Sequence, residues 1–220
     1  MNYIFFEDIV HLIHIVQPQK LIFMYKSIVN SIKSLKWQNL SAENLQSLMV
    51  LAAFAATEFG GSLRIALRHH PKSSAFLEMA EGELQTNNLR FGTYTKTGDH
   101  ADFLWYFIEK NKLIEKVPLD IPLFGAKYFS SINGLPEDLR VMSVVSREHE
   151  LSEIFRRILE AEDWSLPGLP EFKYYLEEHR KIDSKEGGHS DLLKDFAVDD
   201  SVAEFYKIRL GMYECLTNLF

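Results

Sequence analysis

Residues Tyr174 to His189 read YYLEEHRKIDSKEGGH, a stretch with metal-ligating chemistry at helical spacing. In a helix, side chains three, four and seven apart share a face, so Phe172, Leu176, His179, Asp183 and Glu186 form one column. Its apolar members turn the column inward, where an unpaired charge is costly. An imidazole followed by carboxylates four and seven residues later suits a bound metal ion. A solvated helix whose polar residues line up by chance is the plainer reading of this segment alone, so the other helices have to decide.

Four more metal-capable residues stand on apolar faces. Glu58 shares a face with Leu48, Leu51, Ala55 and Ser62; Glu83 stands with Phe76 and Ala80; His100 aligns with Phe103, Leu104 and Phe107. Glu148 takes an interior slot in the stripe Val141, Val144, Val145, Leu151, Phe155, Ile158 and Leu159. A buried carboxylate must neutralise or find a partner, and no basic residue recurs on these faces. Arg64 is the nearest candidate and is out of phase, while Arg147, Glu150 and Arg157 are expected to point elsewhere. Carboxylates and imidazoles converging from several helices are how bundles hold a dinuclear iron or manganese site. The expected ligand and catalytic set is therefore Glu58, Glu83, His100, Glu148, His179 and Asp183, with Glu186 or His189 completing the metal site. Glu186 keeps the helical phase; His189 is ~80° off it at about 100° per residue, and Gly187-Gly188 permit a bend that would bring it in.

The elements that must position these residues are helices. Strand alternation and hairpin signals are scarce, and helical periodicity runs through nearly every long segment. The pattern predicts a helix over about Asn2–Val16 and another over Gln19–Leu35. A third is capped by Ser41 and runs towards Arg68 before Pro71. In it Gly60 and Gly61 are expected to admit a close backbone neighbour. A fourth spans about Ser73–Asn88, and a fifth, capped by Asp99, spans His100–Lys112. Val117–Pro136 reads as a punctuated connection with a short apolar piece at Ala126–Ile132. A sixth helix covers Glu137–Glu162, the motif helix follows Pro167 and Pro170, and a last one covers Ser201–Leu219. The expectation is one all-α domain over residues 1–220, a bundle of about seven or eight helices.

Composition removes several classes of function. The net charge of -7 comes without a basic tract, which argues against a nucleic-acid partner. The apolar N-terminus carries Glu7, Asp8, His11 and His14 and lacks a cleavage signal, so neither a signal peptide nor a membrane span is expected there or elsewhere. A single cysteine, Cys215, fits a reducing, cytoplasmic setting and reads as a core filler. A homodimer is the one protein assembly kept open.

The ordered set Glu58, Glu83, His100, Glu148 and His179-x3-Asp183 resembles the ligand order of the heme-oxygenase-like di-iron oxidases and oxygenases. The likeness covers roughly Ser41 to His189, and Glu83-Leu84, a loop, then His100-Ala101-Asp102-Phe103-Leu104 are similar to that family's Glu-loop-His segment. The resemblance implies a fold shared with heme oxygenase, thiaminase II and pyrroloquinoline quinone synthase. It also implies two Fe(II) ions, or iron with manganese, that activate O2 to oxidise a bound substrate, with Tyr94, Tyr106, Tyr128, Tyr174 and Tyr175 as candidates for substrate contact. The chain departs from the pattern twice. Its Glu83–His100 loop is long, which leaves Glu81 and Glu78 as alternatives to Glu83, and Glu186 stands where the family has a second histidine. The competing expectation is a binding protein or thiaminase-like hydrolase of the same fold, without a working metal site.

Overall fold

The computed structural model describes residues 24–183, 193, 196–217 and 219, with the side chains of 149–152, 182 and 183 outside that set. The chain is all-α. Its described helices are α1 (24–34), α2 (Ala42–His69), α3 (Ser74–Glu83), α4 (His100–Lys110), α5 (Leu113–Lys116), α6 (Asp120–Asn133), α7 (Glu137–Ile158), α8 (Leu169–Asp183) and α9 (Ala203–Met212). Short 3-10 turns stand at Trp37–Asn39, Asp200–Val202 and Tyr213–Cys215. Extended pairing among the described residues is confined to two isolated bridges, Thr86 with Gly98 and Phe91 with Tyr94. The helix expected over Asn2–Val16 and the start of the one expected over Gln19–Leu35 lie outside the described residues.

The axis of the bundle is α2, 28 residues long and so about 42 Å at 1.5 Å per residue. Ser41 caps it, its hydroxyl accepting from Asn44 N–H at 3.3 Å, which satisfies one of the donors a helix start leaves over. It touches α3, α4, α5, α6, α7 and α8. Against the expectation that no stretch qualifies, α2 is long and apolar enough to cross a membrane, although 61% of that apolar window is buried by the rest of the chain. Two groups of buried apolar residues share α2 and α7. One is built on Leu45, Met49, Phe103 and Phe172, the other on Leu63, Phe76, Met79 and Val144.

Several expected boundaries move. The segment read as a connection between Val117 and Pro136 follows the end of α5 and carries α6, fourteen residues of helix. Pro122 punctuates this segment, but it falls in the first turn of α6, where no intrahelical N–H is needed. Gly125 then lets α6 close on α2, since a Cβ there would stand 2.2 Å from Phe54 Cδ2. By contrast, α3 stops at Glu83, short of Asn88, because the chain turns through Gln85 at φ +49. The last helix is cut to Ala203–Met212 with a 3-10 turn on either side. Gly60 and Gly61 admit side chains rather than a backbone: a Cβ at Gly61 would meet the Arg140 guanidinium at 3.3 Å, and one at Gly60 would meet Arg64 at 3.2 Å and Leu84 at 3.4 Å.

Candidate metal centre

Three of the expected ligands meet. Glu83 at the end of α3, His100 at the start of α4 and His179 on α8 bring one ligand atom each within 4.8 Å of one another, and among the described residues no other His, Cys, Asp or Glu group does so. His100 Nδ1 lies 2.8 Å from Glu83 Oε2 and 2.9 Å from His179 Nε2, while His179 Nε2 is 3.9 Å from Glu83 Oε1. Each side chain is buried or nearly so, with exposures of 8%, 3% and 12% for Glu83, His100 and His179.

Local structure explains their arrival. Asp99 starts α4, its own N–H donating to Asp102 Oδ2 at 2.9 Å in a capping box, which sets His100 as the first helical residue. The same Asp99 carboxylate accepts from Gln85 N–H at 3.1 Å and Arg64 Nη2 at 2.6 Å. That ties the end of α3 to the start of α4 and carries Glu83 to His100. Burial acts to raise the Asp99 carboxyl, but the hydrogen bonds from Arg64 and Gln85 outweigh it and hold the group below its ordinary range. On α8, Tyr175 packs on His179 with ring centroids 4.0 Å apart.

The outer nitrogens of the two imidazoles fix their tautomers. His179 Nδ1 stands 2.8 Å from the carbonyl oxygen of Tyr175, which only accepts, so Nδ1 carries the proton. His100 Nε2 stands 2.8 Å from Asn88 Oδ1. Asn88 Nδ2 donates to the Gly82 carbonyl at 2.8 Å, so the amide oxygen is the atom that faces the ring. His100 Nε2 is therefore also a donor. The inner atoms, His100 Nδ1 and His179 Nε2, face each other beside the Glu83 carboxylate. Three acceptors this close require a positive species between them, either a proton or a cation. Two histidines and one carboxylate, with outer-shell acceptors orienting both rings, fit a divalent transition metal.

The other expected ligands are placed differently. Glu58 is fully buried on α2 but belongs to another network, outside the Glu83–His100–His179 group. It accepts from Ser62 Oγ at 2.5 Å, from Tyr128 OH at 3.0 Å, and from Arg147 Nη1 and Nη2 at 2.6 and 3.5 Å. This corrects the expectation that Arg147 points away and that no basic residue shares these faces. Arg147 is 1% exposed, with its guanidinium carbon 4.8 Å from the ring centroids of both Phe59 and Phe205. The burial of Glu58 thus has its partner without a metal. Glu148 is half-buried and lines the same cavity as Glu83 and His179. Asp183 ends α8 with its side chain outside the described set, and Glu186 and His189 lie outside the described residues altogether.

That cavity runs between α2, α7, α8 and α9. Leu48, Ala52, Ala55, Phe172 and Leu176 wall it, with Tyr175, Arg147, Arg209 and Tyr213 among its polar lining. Of the tyrosines singled out from the sequence, Tyr175 reaches the cavity, whereas Tyr128 serves Glu58 and is raised out of its ordinary range by burial and that carboxylate. Tyr94 and Tyr106 pack in an aromatic cluster with Phe103 and Phe107, and Tyr174 OH accepts from Arg90 N–H at 3.1 Å. Asn88, Arg147 and Arg209 are the polar residues that sequence reasoning missed. Comparison with known proteins found no family model, no curated protein and no solved structure that matches the chain.

Proposed function

We propose that the chain is a non-heme iron oxidase or oxygenase acting on a small organic substrate held in the cavity beside Glu83, His100 and His179. The observation that carries this reading is the convergence of His100 Nδ1 and His179 Nε2 on the Glu83 carboxylate, with each ring's outer nitrogen already committed to a fixed acceptor. Two histidines and one carboxylate with open positions are the donor set of O2-activating Fe(II) sites. Bound there, iron supplies the one-electron chemistry with O2 that no side chain offers. We assign a second ion, iron or manganese, to Glu148, Asp183 and Glu186 or His189.

The chain's own residues do the rest. The Tyr175 carbonyl and the Asn88 amide hold the rings with His179 Nε2 and His100 Nδ1 facing inward. The apolar wall of α2 and α8 limits water at the site and orients a substrate's hydrocarbon part. The thiaminase-like alternative is disfavoured by Cys215, which lies outside the cavity lining and whose thiol burial pushes up to about 11. The test is anaerobic reconstitution with Fe(II), removal of unbound metal, quantification of iron, and O2 uptake on mixing with air-saturated buffer. Bound iron with uptake above that of free Fe(II) supports the reading; a chain that retains no iron overturns it.

A further inference from the structure

Arg209 on α9 is 6% exposed and lines the cavity that Glu83 and His179 also line. Its Nε donates to Tyr213 OH at 3.2 Å. Among the described residues no carboxylate pairs with it, in contrast to Arg147, which Glu58 neutralises from 2.6 Å. The Nη atoms of Arg209 make no hydrogen bond to the described residues. Nor are they among the side-chain atoms sealed off without a partner, which are Arg157 Nε and Asp200 Oδ2. They therefore open onto free space, and beside a residue this buried that space is the cavity.

A guanidinium does not deprotonate in a protein, so this charge persists in an apolar setting where leaving it uncompensated is costly. Its planar fork matches a carboxylate. Arg147 is already neutralised by Glu58, and Glu83 and Glu148 place carboxylates on the same cavity. Arg209 is therefore the one guanidinium of the described lining left to meet an anion, and a single guanidinium suits a monoanion better than a phosphate dianion. The lining also includes the small apolar side chains of Ala52, Ala55 and Ala56 and the larger ones of Leu48, Ile154 and Leu176.

We propose that Arg209 anchors the carboxylate of an organic monocarboxylic acid whose apolar body fills this cavity. This names the substrate class for the site described above and rests on that reading only for what happens at the Glu83–His179 side; binding of the acid itself requires no metal. Calorimetric titration of the full chain, with and without EDTA, against octanoate and benzoate and against their neutral amides tests it. At least one of the two acids is expected to bind about 30-fold or more tighter than its amide, whether or not EDTA is present. Arg209→Met should abolish that preference and Arg209→Lys should retain part of it. Equal binding of acid and amide, no measurable binding of either acid, or a preference that survives in Arg209→Met would overturn the proposal. The acid–amide comparison on the unaltered chain decides the matter even if Arg209→Met fails to fold. Acid binding in a chain that holds no iron would leave the anchor standing and the oxidase reading rejected.

Discussion

Arg147 Nη1 sits 2.6 Å from Glu58 Oε2, both side chains are withdrawn from solvent, and two phenyl rings flank the guanidinium. Breaking such a pair from one side leaves a buried charge without compensation, typically at about 3–5 kcal/mol, whereas replacing both partners with apolar groups of like volume is often nearly neutral. Urea denaturation should therefore show Glu58→Leu and Arg147→Met each losing stability on that scale. The double variant Glu58→Leu/Arg147→Met should lose much less than the sum. Additive losses would mean that the two side chains do not act as a pair.

Asn88 reaches His100 through an oriented amide, with Nδ2 on the Gly82 carbonyl and Oδ1 on the ring. Outer-shell partners of this kind are typically worth about 10–100-fold in metal affinity. Asn88→Leu should lower Co(II) affinity within that range while leaving the helical circular dichroism unchanged. An unaltered affinity would remove Asn88 from the account of how His100 is oriented.

Gly125 is where α6 rests on α2, and a methyl group there overlaps the Phe54 ring. Overpacking of this kind costs about 1–3 kcal/mol, so Gly125→Ala should lower the denaturation midpoint. Adding Phe54→Leu should recover part of the loss, because the smaller side chain makes room for the methyl. A variant at full stability would show that the two helices part easily at this point.

Cys215 is half-buried, and burial, with Asp120 adding to it, pushes its thiol up to about 11. The reactive species is the thiolate. Because the value is raised, the thiolate is scarce at pH 8 and becomes abundant only as the pH approaches 11. Alkylation by iodoacetamide at pH 8 should run at least ~100-fold slower than for an ordinary thiol near 8.5, and should rise with pH up to the alkaline limit of the fold. Fast labelling at pH 8 in the folded chain would contradict the placement of this residue.

The triad was readable because its members obey helical phase. Glu83, His100 and His179 each sit on an apolar column, and Asp99 marks the start of α4 by its type alone. Arg147 was not readable, because the stripe through Val141, Val144 and Val145 suggests a helix with one inward face. In the structure Val141 and every residue from Ser143 to Arg147 is buried, so α7 is enclosed on all sides at that level. The short hydroxyls of Ser143 and Ser146 were the available signal, since small polar residues in an apolar run leave room for a long guanidinium. α6 was missed because Pro122 and Gly125 read as breakers; one lies in a tolerant first turn and the other answers to Phe54 across the helix pair. Asn88 is positioned by the irregular Leu84–Asp99 segment and its bridge between Thr86 and Gly98, which has no period to read. Glu58 shows the limit of the coincidence argument, because burial of a carboxylate says that a partner exists without saying whether it is a metal or an arginine.

Glu83, His100 and His179 are expected to hold a metal ion, and anaerobic titration with Co(II), followed by its visible absorption and by calorimetry, tests this most directly. The unaltered chain is expected to bind with the ligand-field bands of a nitrogen and oxygen donor set. His100→Ala and His179→Ala should each lose at least ~100-fold in affinity, a larger effect than the loss of an outer-shell partner. His69→Ala, at a surface histidine paired with Glu137, should match the unaltered chain. Co(II) binding that survives in both triad variants, or no binding in the unaltered chain, would contradict the account.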